Sequence, residues 1–152
     1  MVWYRLTEME ELPMHRITAT LLSMVAAFAL VAGTARAETL SPESVPGATT
    51  IDVSKAKEVF DKGGVFVDVR RIGEWDAGRI AGAVHLELEQ AFNQESLGKA
   101  AGKDKPVVFY CNGAKCPRSA VACEKALGWG YSKVYYFRDG YPAWKTAGNP
   151  VE

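Results

Sequence analysis

Cys111 directly follows the apolar run 107–110, and residues 112–119 lead from it into a segment with a helical pattern. The thiol therefore stands on a predicted strand-to-helix turn. Backbone N–H groups at the N-terminus of a helix carry partial positive charge, so they stabilise a thiolate and any anion that it attacks. The placement indicates a reactive sulfur.

A second thiol, Cys116, lies shortly before the same predicted helix. Pro117 suits the first helical position, which places Cys116 at the helix cap, where the same amides act on a thiol. Cys116 could be a second nucleophile, a resolving thiol that closes a Cys111–Cys116 disulfide, or a small cap residue without chemistry. Spacing alone leaves all three interpretations open.

The turn also carries two cations and a glycine. Arg118 can contact an anion in a bidentate way, through two N–H donors, and Lys115 can contact it as a point charge. Either residue could instead be a solvated surface charge. Gly113 fits a turn that needs positive φ or a close approach of the backbone to an anion, or it is only a flexible loop residue.

Composition argues against a metal centre. The three cysteines, at 111, 116 and 123, lack the paired C-x-x-C spacing of a structural zinc site, and the two histidines add little. Cys123 shares a predicted helix face with Ala120 and Leu127, which favours a small buried core residue. We predict no metal.

Residues 1–37 have the pattern of an export signal, with an apolar run at 21–32 and small residues before a predicted cleavage after Ala37. This predicts a periplasmic or secreted protein. The run is shorter than the roughly 20 apolar residues of a membrane span, so we expect no stable span after cleavage; an uncleaved anchor is the alternative. Met14 is the expected true start, because the acidic residues before it do not suit a signal.

The mature chain is balanced in charge. Three of the 18 acidic and three of the 18 basic residues lie before Glu38, so 15 of each remain. This argues against a nucleic-acid-binding surface and a polybasic membrane surface. We expect a leader linker at 38–48 and a single domain at 49–152.

Short apolar runs alternate with helical stretches in that domain, which predicts an α/β fold with a parallel sheet covered by helices. We predict five strands, at 49–53, 65–69, 83–86, 107–110 and 133–137. We predict helices at 54–62 with Ser54 as the cap, at 72–77, at 88–97, and from Pro117 to a stop at Gly128.

Three blocks together resemble a single-domain rhodanese, a sulfurtransferase module. The first block is Asp68-Val69-Arg70 followed by Glu74 to Ala83, which is similar to the family's D-V-R and E-x-x-x-G-H-I-x-G-A pattern. The second block is the thiol turn after an apolar strand. The third block is Gly140 to Trp144 with Gly148-Asn149-Pro150. Arg79 stands where the family usually has His. The order and spacing of the blocks make the resemblance specific.

The resemblance implies a rhodanese-like, five-stranded parallel sheet with helices on both faces and a reactive cysteine at the carboxyl edge, where open parallel sheets bind ligands. It favours Cys111 as the nucleophile, because Cys111 occupies the strand end that the family uses. One difference concerns the loop: six residues separate Cys111 from Arg118, whereas four are common in the family, and Cys116 lies in the enlarged loop.

The resemblance also implies a reaction. The Cys111 thiolate would attack the outer sulfur of a small anionic donor such as thiosulfate and hold that sulfur as a persulfide for a thiol or cyanide-like acceptor, including a protein thiol. No cofactor is required. Asp68 and Arg70 would brace the loop by charged hydrogen bonds. The predicted donor-binding residues are Asn112, Gly113, Ala114, Lys115, Cys116 and Arg118.

Two other functions stay open. The first is a periplasmic thiol redox switch or a sulfur-carrier binding module that uses a Cys111/Cys116 disulfide. The second is phosphate or arsenate ester chemistry, as in rhodanese relatives with enlarged thiol loops. The spacing here does not match the C-x5-R ring of those phosphatases, and no acid in the loop stands ready to protonate a leaving alcohol.

Overall fold

Five parallel strands form one sheet in the part of the chain that the computed structural model describes, residues 40–152. The strands are β1 (Thr49–Thr50), β2 (Val65–Asp68), β3 (Val84–His85), β4 (Val107–Tyr110) and β5 (Val134–Phe137). Their order across the sheet is β1-β5-β4-β2-β3, so β4 lies in the middle with β5 and β2 on either side. The predicted fold class is confirmed.

Helices cover both faces of the sheet. The helices of the described part are α1 (Val53–Asp61), α2 (Ile72–Asp76), α3 (Gln94–Ala100), α4 (Arg118–Gly128) and α5 (Gly140–Thr146). On one face, α3 contributes Leu97 and α4 contributes Cys123 to an apolar cluster. On the other face, α1 contributes Val59 and α5 contributes Trp144 to a second cluster.

The central strand β4 shows why the apolar run at 107–110 is continuous. Side chains alternate between the two faces of a strand, and helices cover both faces here. Val107 and Phe109 join the cluster under α3 and α4, while Val108 and Tyr110 join the opposite cluster. Cys111, directly after β4, continues the alternation, and its side chain lies in the cluster under α3 and α4.

The first helix begins earlier than predicted, because Asp52 rather than Ser54 caps it. The Asp52 carboxylate accepts a hydrogen bond of 2.8 Å from the backbone N–H of Lys55. Asp and Ser both make good caps. Because β1 already ends at Thr50, the helix can begin directly after Asp52. The predicted strand at 49–53 is correspondingly shorter.

The third helix begins later than predicted, at Gln94 instead of residue 88. Residues 88–91 form a turn, and the Asn93 side chain caps the helix by accepting from the N–H of Ser96 at 2.9 Å. A local cap thus outweighed the apolar periodicity before it.

The fourth helix begins and ends one residue later than predicted. Arg118 is its first residue, so Pro117 rather than Cys116 takes the cap position, and Gly128 is its last residue. Gly130, with φ of 88°, takes the left-handed conformation after the helix. Helix α5 lies in the closing block of the resemblance and is not among the predicted helices.

The segment before β1 packs against the domain. Ser41 and Val45 are each only 2% exposed, and Val45 belongs to the cluster under α3 and α4. The Pro42 carbonyl accepts hydrogen bonds from the Tyr136 hydroxyl at 3.0 Å and from Arg138 at 3.1 Å. The predicted linker is therefore attached in its described portion, because Pro and Gly prevent regular structure without preventing contacts.

The predicted signal, residues 1–37, lies outside the described residues. Among residues 40–152, no helix has the length and apolar composition needed to cross a membrane.

Candidate active site

Cys111 lies at the carboxyl end of β4 and is fully buried on the side of the sheet covered by α3 and α4. A disulfide joins it to Cys116, with 6.2 Å between the two Cα atoms. The alternation along β4 explains the burial, because residues 107, 109 and 111 share one face. In this oxidised form, the sulfur at the strand end is bonded to its neighbour and covered.

Cys116 is half-buried and lines an open cleft of about 500 Å³. Its backbone N–H donates to the Gly113 carbonyl at 2.9 Å, so this amide is engaged within the turn and does not face a ligand. The Arg118 guanidinium lies 3.9 Å from the Cys116 sulfur. The other residues lining the cleft are Glu74, Leu88, Glu89, Asn112, Lys115, Pro117 and Val121.

The predicted donor-binding residues divide into two groups. Asn112, Lys115, Cys116 and Arg118 line the cleft. Gly113 is buried, and the carbonyl of Ala114 accepts hydrogen bonds from Ser41. Side chains on the loop therefore reach the cleft at four of the six predicted positions.

Two glycines allow the start of α5 to approach the thiol turn closely. Gly113 has φ of 94° and Gly140 has φ of 59°, both in the left-handed region. A Cβ on Gly140 would collide with the Cys111 carbonyl and approach the Gly113 nitrogen. The same carbonyl accepts a 2.9 Å hydrogen bond from the N–H of Tyr141. Strand β4 and α5 are thus joined at the position of the thiol.

Glu74 connects α2 to the thiol turn. One carboxylate oxygen accepts from the backbone N–H of Arg71 at 2.9 Å, which caps the helix locally. The carboxylate also bonds the Asn112 side chain and lies 3.2 Å from the Arg118 guanidinium. These loop partners lie 38 and 44 residues away from Glu74 along the chain, so no local pattern in the sequence links them to it.

A buried ion pair stands behind the turn. Arg70 and Asp68 are 2% and 0% exposed, and the Arg70 Nη2 atom lies 2.6 Å from the Asp68 carboxylate. The Arg70 guanidinium also donates to the Gly78 carbonyl at 2.8 Å and to the Asn112 side chain at 3.4 Å, and it stacks 4.5 Å from the ring centre of Tyr141. Arg70 thus reaches the thiol turn through Asn112.

Electrostatics favour the charged form of Arg70, and burial favours the neutral form of the third thiol. Burial opposes the charged form of Arg70, but the hydrogen bond and charge of Asp68 outweigh it and raise the pKa of the guanidinium. Burial raises the pKa of the Cys123 thiol well above its usual range. Cys123 is free and fully buried, so its predicted place in the core is confirmed.

A family model described as a rhodanese-like domain matches residues 52–147. The chain belongs to the rhodanese-like family. Membership of this family supports sulfur transfer or a related activity, and it agrees with the placement of a cysteine at the carboxyl edge of the sheet.

This rhodanese-like chain is similar to part of each of two relatives. It is 35% identical over 86 residues to an HTH-type transcriptional regulator from Mycobacterium tuberculosis, covering 57% of this chain and 36% of that protein. It is 34% identical over 89 residues to a tRNA uridine(34) hydroxylase from Escherichia coli, covering 53% of this chain and 23% of that protein. The chain therefore covers well under half the length of either relative.

A solved structure shares the fold. The chain superposes with a TM-score of 0.55 and 28% identity on a protein of unknown function from Rhodopseudomonas palustris, described as a possible tyrosine phosphatase. The match covers 70% of this chain and 86% of that one.

Three contacts that shape the site were not predicted from the sequence. They are the hydrogen bonds of Ser41 to the loop, the link from Glu74 to Arg118, and the contact of Tyr141 with Arg70. Each joins residues that are far apart along the chain, so no local pattern predicts them. The signal in the sequence that could have indicated Glu74 and Tyr141 is that both lie in blocks that resemble the rhodanese family.

Proposed function

We propose that the protein is a sulfurtransferase that moves sulfane sulfur from thiosulfate or a similar small anionic donor to a thiol or cyanide-like acceptor. The observation that carries the proposal is the position of Cys111, at the end of the central strand β4 and at the start of the turn into α4. Family membership supports the same class of reaction.

The reaction starts from the reduced form, because the sulfur of Cys111 is bonded to Cys116 in the disulfide. The Cys111 thiolate attacks the outer sulfur of thiosulfate, the bond between the two donor sulfurs breaks, and sulfite leaves with the bonding electron pair. An acceptor thiolate then takes the outer sulfur of the persulfide and restores the Cys111 thiolate. Lys115 and Arg118, which line the cleft, supply positive charge toward the donor.

The test is sulfur transfer from thiosulfate to cyanide or to a dithiol, measured with the reduced wild type, Cys111→Ser and Cys116→Ser. We expect Cys111→Ser to abolish turnover, and mass mapping of the wild type to find the added sulfur on the Cys111 peptide. Full activity in Cys111→Ser would remove the proposed mechanism.

A periplasmic thiol redox switch or a sulfur-carrier binding module is the second candidate, and the Cys111–Cys116 disulfide favours it. In that function, the cysteines cycle between dithiol and disulfide without transferring sulfur. Mild oxidation of the reduced protein should then form the linkage in full while thiosulfate adds no sulfur to either cysteine. Thiols that persist under mild oxidation would contradict this candidate.

Phosphate ester hydrolysis is tested by a separate assay, given the description of the similar protein from Rhodopseudomonas palustris. Turnover of an aryl phosphate above a Cys111→Ser blank would support it. Six residues separate Cys111 from Arg118, which does not match the C-x5-R ring of phosphatases and argues against this function.

We also propose that the mature protein acts in the periplasm or outside the cell, on the basis of the signal pattern at 1–37. The intact mass of exported material tests this, with a chain that begins at Glu38 as the expected result. Retention of the uncleaved chain would contradict it.

A further inference from the structure

We propose that Cys116 is a resolving thiol that expels the sulfane sulfur of Cys111 as hydrosulfide and leaves the Cys111–Cys116 disulfide. The inference rests on the proposed function, since it requires a persulfide on Cys111. It goes further by naming the product, hydrosulfide, and the class of reductant that the cycle consumes, a dithiol.

The disulfide is the first observation behind this proposal. The bond joins the sulfur of Cys116 to that of Cys111, so the turn brings Cys116 to the inner sulfur of a persulfide on Cys111. Attack at the inner sulfur gives the linked form that the structure contains. Attack at the outer sulfur would instead move the persulfide to Cys116 and leave the two residues unlinked.

The step balances in atoms and electrons. A thiolate on Cys116 forms a bond to the Cys111 sulfur, the bond between the inner and outer persulfide sulfurs breaks, and the outer sulfur leaves with the electron pair. It departs as hydrosulfide, carrying the proton that Cys116 gave up. Starting from thiosulfate, the two thiols supply two electrons, and the products are sulfite, hydrosulfide and one disulfide.

The return step is the reduction of the Cys111–Cys116 disulfide by the dithiol. The two cysteines differ in exposure, and this difference decides which sulfur the reductant attacks. Cys111 is 0% exposed, whereas Cys116 lines the cleft beside Asn112 and Arg118. An incoming thiolate therefore reaches the Cys116 sulfur, forms a mixed disulfide there, and releases the Cys111 thiolate. The second thiolate of the reductant then attacks the reductant's own sulfur in the mixed disulfide, the bond to the Cys116 sulfur breaks, and Cys116 leaves as a thiolate while the reductant leaves as its disulfide.

A single-turnover experiment tests the forward step. Reduced protein, freed of reductant, is mixed with thiosulfate, and sulfite, hydrosulfide and the masses of the cysteine peptides are measured. We expect wild type to release sulfite and hydrosulfide in equal amounts and to end with the Cys111–Cys116 linkage. Cys116→Ala should release sulfite, release no hydrosulfide and keep a persulfide on Cys111.

Cys123→Ala is the matched control, because Cys123 is a buried free thiol outside the cleft. It should behave like wild type. A wild type that keeps its persulfide without releasing hydrosulfide, or a Cys116→Ala variant that releases hydrosulfide as fast as wild type, would overturn the inference.

Sulfite release separates this inference from the proposed function. Sulfite without hydrosulfide in the wild type leaves the sulfurtransferase proposal intact and removes the resolving role of Cys116. When neither thiosulfate nor glutathione persulfide loads sulfur onto Cys111, both proposals fail.

The return step has its own readout. Oxidised wild type is treated with glutathione, quenched with acid and mapped by mass. We expect the glutathione adduct on Cys116. An adduct mainly on Cys111 would contradict the order of attack that the exposures set.

Discussion

Ser41 donates two hydrogen bonds to one carbonyl oxygen, that of Ala114 in the thiol turn, from its backbone N–H at 2.7 Å and from its hydroxyl at 2.9 Å. Ser41 lies 73 residues before Ala114 and is only 2% exposed. The segment before β1 therefore holds the middle of the loop that connects the two cysteines.

Ser41→Ala should loosen the thiol turn. It removes the hydroxyl bond and keeps the backbone bond, so we expect the free energy of unfolding to fall by about 1 kcal/mol. The rate at which glutathione reduces the Cys111–Cys116 disulfide should rise. Urea unfolding and the reduction rate measure both effects, and Ser44→Ala, at an exposed position, is the control. Equal behaviour of the two variants would contradict the role of Ser41.

Glu74→Gln should improve the binding of an anionic sulfur donor. The change removes the negative charge 3.2 Å from the Arg118 guanidinium and retains an oxygen that can accept hydrogen bonds. A partly exposed ion pair such as this one contributes about 1 kcal/mol, so we expect KM for thiosulfate to fall by about threefold to fivefold. Steady-state kinetics measure it. Glu89→Gln, in the same cleft, should have a smaller effect, and an unchanged KM in Glu74→Gln would sink the prediction.

Gly140→Ala should be much more damaging than Gly148→Ala. Both residues have positive φ, 59° and 71°, so each substitution adds backbone strain of about 1–2 kcal/mol. Only at Gly140 does the new Cβ also collide with the Cys111 carbonyl, whereas nothing lies within 4 Å of it at Gly148. We expect a further loss of about 1–3 kcal/mol at Gly140, measured by urea unfolding. Similar losses in the two variants would show that the close approach does not matter.

Stability should fall at alkaline pH because of Cys123. Burial raises the pKa of its thiol in the folded state, so the unfolded chain loses this proton first as pH rises. The stabilisation is complete below the unfolded pKa of about 8.5 and declines above it by about 1.4 kcal/mol per pH unit.

Urea unfolding between about pH 8.5 and 10 tests this in a Cys111→Ser, Cys116→Ser background, which avoids disulfide exchange. Cys123→Ala in that background should show a shallower decline. Parallel declines with and without Cys123 would rule out this cause.

Local chemistry in the sequence determined the fold class and the position of the reactive turn. The apolar run 107–110 predicts a strand buried on both faces, and Cys111 after it predicts a thiol at the sheet edge. The burial of Cys123 was also predictable, because it follows from helical spacing within one segment. These features depend on neighbours along the chain.

Helix boundaries were harder to predict, because several residue types make suitable caps. Asp52 and Asn93 cap their helices in place of the predicted starts, and only the folded chain shows where the preceding strand or turn ends.

Tertiary structure alone decided how the thiol turn is held and which sulfur is exposed. Ser41 reaches Ala114, Glu74 reaches Arg118, and Cys111 is covered while Cys116 faces the cleft. The partners in the first two contacts are 73 and 44 residues apart, so no periodicity or cap links them. Sequence spacing made a Cys111–Cys116 bond one option among three, and the geometry of the folded turn brings the two sulfurs together.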